Sequence, residues 1–190
     1  DGSANIPDAY VRLDNKIFLF EYKASFFPES ITNSPNFDDI KAHIDLKFIK
    51  NQNDKAKGIN QLKKQIDIIG EKGFHFDEDI KNKYENLLIY PIIVHQDFQF
   101  AMPGITDYLK TEFHEVIKEI NGDILIKPLI MVDLAILFDI AFSGKDINYF
   151  ELLIEKYDSY IAENINRFIK SGLQEDFLNS HVSFDQLYHT

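Results

Sequence analysis

The chain of 190 residues contains no cysteine. Disulfide bonds and thiolate metal sites are therefore excluded, and the absence is consistent with a reducing compartment, so we expect a cytoplasmic protein. Hydrophobic residues make up 45% of the sequence and include 17 Phe and 9 Tyr. A chain of this length and composition can bury a substantial core as one domain.

Long apolar runs are missing as well. No run reaches the roughly 18 residues that a membrane-spanning helix needs. The chain opens with the polar residues Asp-Gly-Ser-Ala-Asn, which do not resemble a secretory signal peptide. The sequence therefore predicts a protein that does not interact with a membrane.

Positive charge is scarce, with 20 basic residues against 31 acidic ones and a net charge of −11. Lys and Arg supply much of the affinity for nucleic-acid phosphates, so this composition argues against a general nucleic-acid binder. The charge is uneven, however. Residues 47–64 hold six lysines and one acid, whereas from Gly104 onward there are 7 basic and 15 acidic residues. The lysine-rich stretch either faces phosphates or is the solvated face of a helix.

Several catalytic motifs are also absent. The sequence holds no P-loop, GxGxxG, HExxH or zinc-spaced histidine cluster. Ser180-His181 lacks the surrounding residues of a nucleophile elbow, and the six histidines are scattered. We therefore assign no histidine a catalytic role.

The most informative stretch that is present runs from Pro7 to Ser25 and reads PDAYVRLDNKIFLFEYKAS. Two runs rich in Phe, Ile, Val and Tyr flank a polar turn at Asp14-Asn15-Lys16. This pattern predicts a β-hairpin with strands over residues 6–13 and 16–24.

The second predicted strand is apolar on both faces until it reaches Glu21. Side chains alternate along a strand, so Glu21 and Lys23 share a face, and Tyr22 lies on the other. A carboxylate and an ammonium in such a strand are costly to desolvate unless they are paired or bound to a metal. The pattern indicates a site, although Glu-x-Lys also occurs as a solvated edge or a cross-strand ion pair.

An Asp on one strand and a Glu on its neighbour can place two hard oxygen ligands at one point, which suits Mg²⁺. Pro7, Asp8, Glu21 and Lys23, with 13 positions from Asp to Glu, resemble the PD-(D/E)xK nuclease superfamily and its restriction-endonuclease-like fold. The resemblance implies that Asp8 and Glu21 bind Mg²⁺ or Mn²⁺ and that Lys23 acts on the attacking water. It covers residues 6–97.

The stretch KAKGINQLKKQIDII at residues 55–69 predicts a helix, since its isoleucines and leucine recur at helical spacing. Gln61 and Gln65 lie one turn apart beside that apolar stripe. In the resembled superfamily a helix after the Glu-x-Lys strand often offers a Gln or Lys to the active site. The resemblance implies this role for Gln61 first and Gln65 second; alternatively, both are ordinary surface glutamines.

The run LLIYPIIV at residues 87–94 predicts a central strand buried on both faces, in which Pro91 requires a bulge or an edge-facing position. A second apolar run predicts a further strand over 124–132. His95-Gln96-Asp97 follows the central strand and is either a metal pair or, as we favour, a turn with a hydrogen-bonded imidazole.

Helical patterns occupy most of the remaining chain. Periodicity and caps predict a helix over 37–48, one over 106–120 with Thr106 as its N-cap and Asn121-Gly122 at its end, one over 133–142 capped by Asp133, a long one over 146–170, and a docked tail over 173–190. Residues 26–36 are expected to form a loop, and 77–84 a short helix or loop.

The order of elements predicts an α/β domain with a restriction-endonuclease-like mixed sheet flanked by helices. We assign residues 1–132 to the nuclease-like core and 133–190 to a helical C-terminal extension of the same domain. The core of the resembled family begins with a helix and a strand before the Pro-Asp strand. Here those elements either lie upstream in a longer protein or are replaced by later segments.

Three functions are compatible with these observations. The first is a Mg²⁺- or Mn²⁺-dependent nuclease that hydrolyses DNA, of a restriction or phage-defence type, acting as a homodimer or within a larger chain or complex. Its catalytic residues would be Asp8, Glu21, Lys23 and Gln61. The second is an inactive nuclease-fold module for protein interaction or assembly, with the long C-terminal helix as its contact surface. The third is a nuclease directed at RNA.

Overall fold

The computed structural model describes residues 6–33, 36–50, 52–53, 55–71, 77, 80, 86–120 and 124–189. Within them the chain forms a mixed five-stranded sheet with helices on both faces. The strands are β1 Ala9–Leu13, β2 Lys16–Lys23, β3 Leu87–His95, β4 Ile124–Ile126 and β5 Ile130–Asp133. The helices are α1 Glu29–Thr32, α2 Phe37–Phe48, α3 Gly58–Gly70, α4 Ile105–Ile117, α5 Leu134–Phe142, α6 Ile147–Ser171, α7 Gln174–Asn179 and α8 Phe184–Tyr188, and a 3₁₀-helix spans Phe98–Ala101.

The sheet runs in the order β1, β2, β3, with β4 and β5 both placed beside β3. β1 and β2 are the antiparallel hairpin that the sequence predicts, with Ala9 opposite Phe20. β3 is parallel to β2 and also to β4 and β5. Among the described residues the later strands thus extend the sheet beyond β3, and none of them pairs with β1.

Two helical layers cover the sheet. The side chains of Ile17 and Leu19 pack with α2, α3 and α4 on one face. The side chains of Phe18 and Phe20 pack with α5, α6 and α8 on the other. Ile17, Phe18 and Leu19 are completely inaccessible to solvent, as expected of a strand that is apolar on both faces. Residues 133–190, predicted as an extension, therefore supply the second layer of the domain.

Pro91 lies in the middle of the central strand without disrupting it. The Lys127 N–H donates to the Ile89 carbonyl at 2.8 Å, so the backbone of Ile89 faces β4 and β5, and Pro91, two residues on, faces the same way. β4 pairs with residues 87–89 and β5 with 92–95. The missing N–H of Pro91 therefore falls at the break between two neighbouring strands. The apolar run at 124–132, predicted as one strand, is split into these two.

The helix predicted over residues 106–120 begins differently from the prediction. Gly104, not Thr106, is the N-cap of α4, and Thr106 lies buried in its first turn. Gly104 has a φ of 90°, which glycine adopts without the steric cost that other residues carry. The proposed helix end at Asn121-Gly122 lies outside the described residues.

The segment predicted as a loop over residues 26–36 contains the short helix α1. Pro28 is its N-cap, and the Pro28 carbonyl accepts from the Thr32 N–H at 3.0 Å. Proline is tolerated at a helix start because an N–H there has no partner within the helix. The prediction for 77–84 falls almost entirely outside the described residues, as does Thr190 of the tail.

The helix predicted from residue 55 begins at Gly58, and the helix predicted through Ile120 ends at Ile117. The remaining helix predictions agree with the structure. α2 occupies the predicted residues, Asp133 caps α5 by accepting from the Ala135 N–H at 2.7 Å, and Asp146 caps α6. The tail docks through Phe184, which is 3% exposed. No described helix combines the length and apolar character needed to cross a bilayer.

Gly58, at the start of α3, approaches the end of α2 closely. Its φ is +41°, and a Cβ added there would lie 2.6 Å from the Phe48 carbonyl oxygen. Gly144 also has a positive φ, +68°, but a Cβ there would meet no atom within 4 Å. A substitution at Gly144 would therefore introduce backbone strain alone, whereas a substitution at Gly58 would introduce both backbone strain and steric overlap.

We expect Gly144→Ala to lower the free energy of unfolding by about 1 kcal/mol, the cost of the left-handed conformation. Gly58→Ala should lower it by about 2–4 kcal/mol, since overpacking adds about 1–3 kcal/mol. Chemical denaturation of both variants measures the difference. Equal losses would mean that the contact between α2 and α3 is loose enough to absorb a methyl group.

Candidate active site

The end of β2 carries the residues that the sequence singled out. Glu21 and Lys23 lie on the face of the sheet that α3 covers, because they alternate with Leu19 along the strand. Asp8 precedes β1, and the hairpin register places it across from Glu21. The Asp8 Oδ2 atom accepts the Tyr22 N–H at 2.8 Å, which ties Asp8 to the backbone of β2.

Glu21 is a buried carboxylate, with 2% of the residue exposed. Burial is the main reason that its pKa is raised, and the negative charge of Asp8 raises the pKa further. Hydrogen bonds and charge from Lys23, and a hydrogen bond from Gln65, act in the opposite direction. The effect of burial prevails, so the pKa of Glu21 stays above its ordinary value, as is common for carboxylates in functional sites.

Lys23 joins the strand to the helix. Its Nζ atom donates to Glu21 Oε1 at 2.7 Å and to Gln61 Oε1 at 2.7 Å. The Lys23 side chain is only 12% exposed, so the ammonium is held by these two oxygens rather than by bulk water. The structure thus brings Glu21, Lys23 and Gln61 together in one hydrogen-bonded chain.

Gln61 is itself fixed by the start of α3. Its Oε1 atom accepts the Gly58 N–H at 3.0 Å in addition to the Lys23 ammonium. The Gly58 N–H has no carbonyl partner within the helix, since it belongs to the first turn. The close approach of α3 to α2 at Gly58 therefore sets the position of the amide that meets Lys23.

Gln65, which the sequence ranks below Gln61, is the more deeply buried of the two glutamines, at 2% exposed. Its Nε2 atom lies 3.4 Å from Glu21 Oε2, and its Oε1 atom is buried without a hydrogen-bond partner. The signal available in the sequence was its position one turn after Gln61. Its burial follows from the packing of α3 on β2, which periodicity alone does not give.

The donor atoms suit a hard divalent cation in chemical type. Asp8 and Glu21 are carboxylates on neighbouring strands, and Mg²⁺ is commonly bound through one or two carboxylates plus water and substrate phosphate. Among the described residues, no group of three or more His, Cys, Asp or Glu side chains is arranged to hold a metal ion. A cation at Glu21 would therefore take most of its ligands from water and substrate.

Glu151 provides an internal comparison, because it is also buried and also paired with a lysine of β2. Its carboxylate accepts from Lys16 Nζ at 2.6 Å and from the Tyr90 hydroxyl. Burial raises the pKa of Glu151, but the hydrogen bonds from Lys16 and Tyr90 prevail and the pKa is lowered. Glu151 is therefore a fully compensated structural anion, whereas Glu21 is not.

The His95-Gln96-Asp97 segment agrees with the turn interpretation at Asp97, whereas His95 is the last residue of β3. Asp97 Oδ2 accepts the Phe27 N–H at 2.8 Å and Asp97 Oδ1 accepts the Gln99 N–H at 3.0 Å. His95 Nε2 lies 3.1 Å from Asp185 Oδ2, and His95 is completely buried. Asp97 thus joins segments of the fold by hydrogen bonds. Despite the short distance to Asp185, neither ring nitrogen of His95 forms a hydrogen bond with a described residue, so the predicted hydrogen-bonded imidazole is wrong.

The lysine-rich stretch lies at the connection between α2 and α3. Lys50 forms a β-bridge with Ala56, and the Lys57 N–H donates to the Ile49 carbonyl, so the connection is a compact turn. It leads directly into the end of α3 that carries Gln61. Within the stretch Lys63 is paired with Asp67 at 2.7 Å, whereas Lys64 is exposed on the surface of α3.

A cavity of about 620 Å³ lies on the opposite face of the hairpin from Glu21. Phe20, Tyr22 and Phe150 contribute to its mostly apolar walls, and Asp8 lies at its edge. The residues that line the cavity do not include Glu21, Lys23 or Gln61. Since the groups capable of acid, base or metal chemistry converge at Glu21, we place the candidate site there.

Comparison of the chain with protein-family models, with curated proteins and with solved structures gives no match.

Asp97→Ala should lower the free energy of unfolding by about 1–3 kcal/mol, because the buried Phe27 N–H loses its acceptor. Asp133→Ala, which removes a helix cap at a more exposed position, should cost about 1 kcal/mol. Denaturant titration measures both. A loss at Asp97 no larger than that at Asp133 would argue against its role as an anchor.

Proposed function

We propose that the protein is a metal-dependent nuclease that hydrolyses phosphodiester bonds in DNA. The observation that carries the proposal is the chain of contacts from Glu21 through Lys23 to Gln61 at the end of the hairpin. Asp8 and Glu21 would hold Mg²⁺ or Mn²⁺. A cytoplasmic role in restriction or phage defence is part of the same proposal.

Each side chain has a defined task in this reaction. A bound divalent cation would lower the pKa of a coordinated water and neutralise phosphate charge. Glu21 and Asp8 supply the anionic oxygens that bind and orient. Lys23 supplies a cation beside the reacting phosphate, which stabilises the charge of the transition state. Gln61 fixes the direction of the Lys23 side chain from the neighbouring helix.

The topology supports a restriction-endonuclease-like core. An antiparallel hairpin carries Asp8 just before β1 and Glu21 on β2, helix α3 follows, and β3 returns parallel to β2. This is the order that the resemblance implies for residues 6–97. Gln61 lies on the connecting helix, and its Oε1 atom is 2.7 Å from Lys23 Nζ, which adds to that support.

A DNA substrate is compatible with the acidic chain because the charge is unevenly placed. The lysine-rich turn between α2 and α3 lies at the end of α3 that carries Gln61. Phosphates that follow this turn would approach Lys23 from the end of α3 that carries Gln61. RNA offers the same phosphates, so the assay below includes it.

Purified protein is expected to cleave plasmid DNA in the presence of Mg²⁺ or Mn²⁺ and to lose this activity on chelation. Lys23→Met and Glu21→Gln should each lower the rate by about 10²–10⁴-fold, the range typical of a positioned catalytic group. Gel assays with plasmid, single-stranded DNA and RNA measure the rate and identify the substrate class.

The matched controls are Lys16→Met and Glu151→Gln, which break a second lysine–glutamate pair involving the same strand. These variants should lower stability but retain cleavage by the folded protein. If the controls lose as much cleavage as the site variants, the loss is due to impaired folding and not to the site. Absence of cleavage by the wild type under all metal conditions would contradict the proposal.

A second candidate function is that of a protein-interaction module, and it is favoured by the C-terminal helical hairpin. The outer part of α6 and the helix α7 expose five large apolar side chains, from 42% to 73% of each, at Ile165, Ile169, Leu173, Phe177 and Leu178. An apolar surface of this kind is typical of a contact between proteins.

Ile169→Glu should abolish concentration-dependent association of the chain, if this hairpin is the contact, because a charge would be desolvated there. Phe142→Glu, at a side chain that is 86% exposed on α5, serves as the control. Analytical ultracentrifugation measures the association. If the wild-type chain stays monomeric at high concentration, self-association is not the role of this surface.

A further inference from the structure

The Lys23 ammonium occupies Oε1, one of the two oxygens through which Glu21 could bind a divalent cation. The Nζ–Oε1 distance is 2.7 Å, and the two side chains are 12% and 2% exposed. A cation such as Mg²⁺ binds carboxylate oxygen at about 2.0–2.1 Å. Two positive charges cannot share this oxygen without strong repulsion in so buried a setting.

The ammonium has a second acceptor that does not belong to β2. A lysine has three N–H donors, and one of them is directed to Gln61 Oε1 at 2.7 Å. Gln61 Oε1 is anchored by the Gly58 N–H at 3.0 Å, so it stays in place independently of Glu21. Lys23 therefore retains a hydrogen-bond partner on α3 if its contact with Glu21 is lost.

The other oxygen of Glu21 faces a different group. Gln65 Nε2 lies 3.4 Å from Oε2, at a residue that is itself 2% exposed. The carboxylate is thus oriented by a neutral amide at one oxygen and by the ammonium at the other. A metal ion would replace the ammonium at Oε1, while the contact with Gln65 at Oε2 would keep the carboxylate in the same orientation.

We propose that Lys23 is a built-in counter-cation of Glu21 that a divalent metal ion displaces, and that Gln61 holds the displaced ammonium beside the metal. The inference rests on the proposed function in taking Glu21 as a metal ligand. It explains how a buried carboxylate keeps a positive partner both with and without metal, since an unpaired buried charge is strongly destabilising.

The first consequence concerns metal affinity without any nucleic acid. Lys23→Met removes the competing ammonium, so Mn²⁺ should bind about 10-fold more tightly or better, as expected for the loss of one charge-assisted hydrogen bond. The same substitution should abolish cleavage. Tighter metal binding together with lost activity distinguishes this role from one in which Lys23 helps to build the metal site.

The second consequence concerns Gln61, which acts here as a positioning residue for Lys23. Gln61→Met removes the alternative acceptor, so the ammonium leaves Glu21 less readily and Mn²⁺ should bind several-fold more weakly. In the Lys23→Met background the Gln61→Met change should have no effect on Mn²⁺ affinity. This dependence on Lys23 is not expected if Gln61 merely stabilises α3.

The experiment is calorimetric titration of the full 190-residue chain with Mn²⁺ at mildly alkaline pH, for the wild type, the two single variants and the double variant. Lys16→Met is the control, since it breaks the lysine contact of Glu151 instead. Circular dichroism establishes that each variant is folded. If Lys23→Met does not fold, Gln61→Met alone remains decisive, because unchanged affinity contradicts the proposal.

The proposal is overturned if folded Lys23→Met binds Mn²⁺ no more tightly than the wild type, if neither chain binds it, or if Gln61→Met has the same effect in both backgrounds. Its failure is separable from failure of the nuclease assignment. A chain that shows the expected affinities but cleaves no nucleic acid retains the cation exchange and loses the nuclease. A chain that cleaves nucleic acid but shows no coupling between Lys23 and Gln61 in Mn²⁺ affinity retains the nuclease assignment and loses the cation exchange.

Discussion

The parallel pairing of β2 with β3 is the contact on which both helical layers depend. Eight residue pairs join the two strands in register, and at the centre of the pairing Phe18, Leu19 and Ile92 are inaccessible to solvent. Backbone groups this deeply buried must find their partners within the sheet. Glu21 is the last buried position of β2, so the same packing that stabilises the fold also withdraws its carboxylate from water. The candidate site is thus a consequence of how far the core extends along the strand.

Much of the fold could be predicted from local patterns, and the exceptions share a cause. Alternation in β2 gave the faces of Glu21 and Lys23, and helical spacing gave the bounds of α2, because both signals depend only on near neighbours along the chain. The accommodation of Pro91 could not be predicted, since it depends on which strands lie opposite. The start of α4 differs from the prediction because the positive φ of Gly104 lets the chain enter the helix before Thr106.

The candidate site shows the same division. Glu21 and Lys23 are two residues apart, so their shared face follows from the strand itself. Gln61 contacts Lys23 from 38 residues away, and only the resemblance to a known family indicated that this helix reaches the strand. Asp185, which lies 3.1 Å from His95 in the folded protein, gave no signal at all. Contacts between distant segments are set by the packing of whole elements, which a single sequence does not specify.

The two layers of the sheet come from successive parts of the chain. The described helices on the Glu21 face lie before residue 118, and those on the opposite face follow residue 133. During synthesis from the N-terminus, the first layer and the strands can therefore assemble while Phe18, Phe20 and Tyr90 still lack their cover. A ribosome-bound intermediate would display this aromatic sheet face until the last helices emerge, and chaperones that recognise apolar surface would find it there. The final third of the chain would therefore remove this apolar surface from solvent as its helices pack on the sheet.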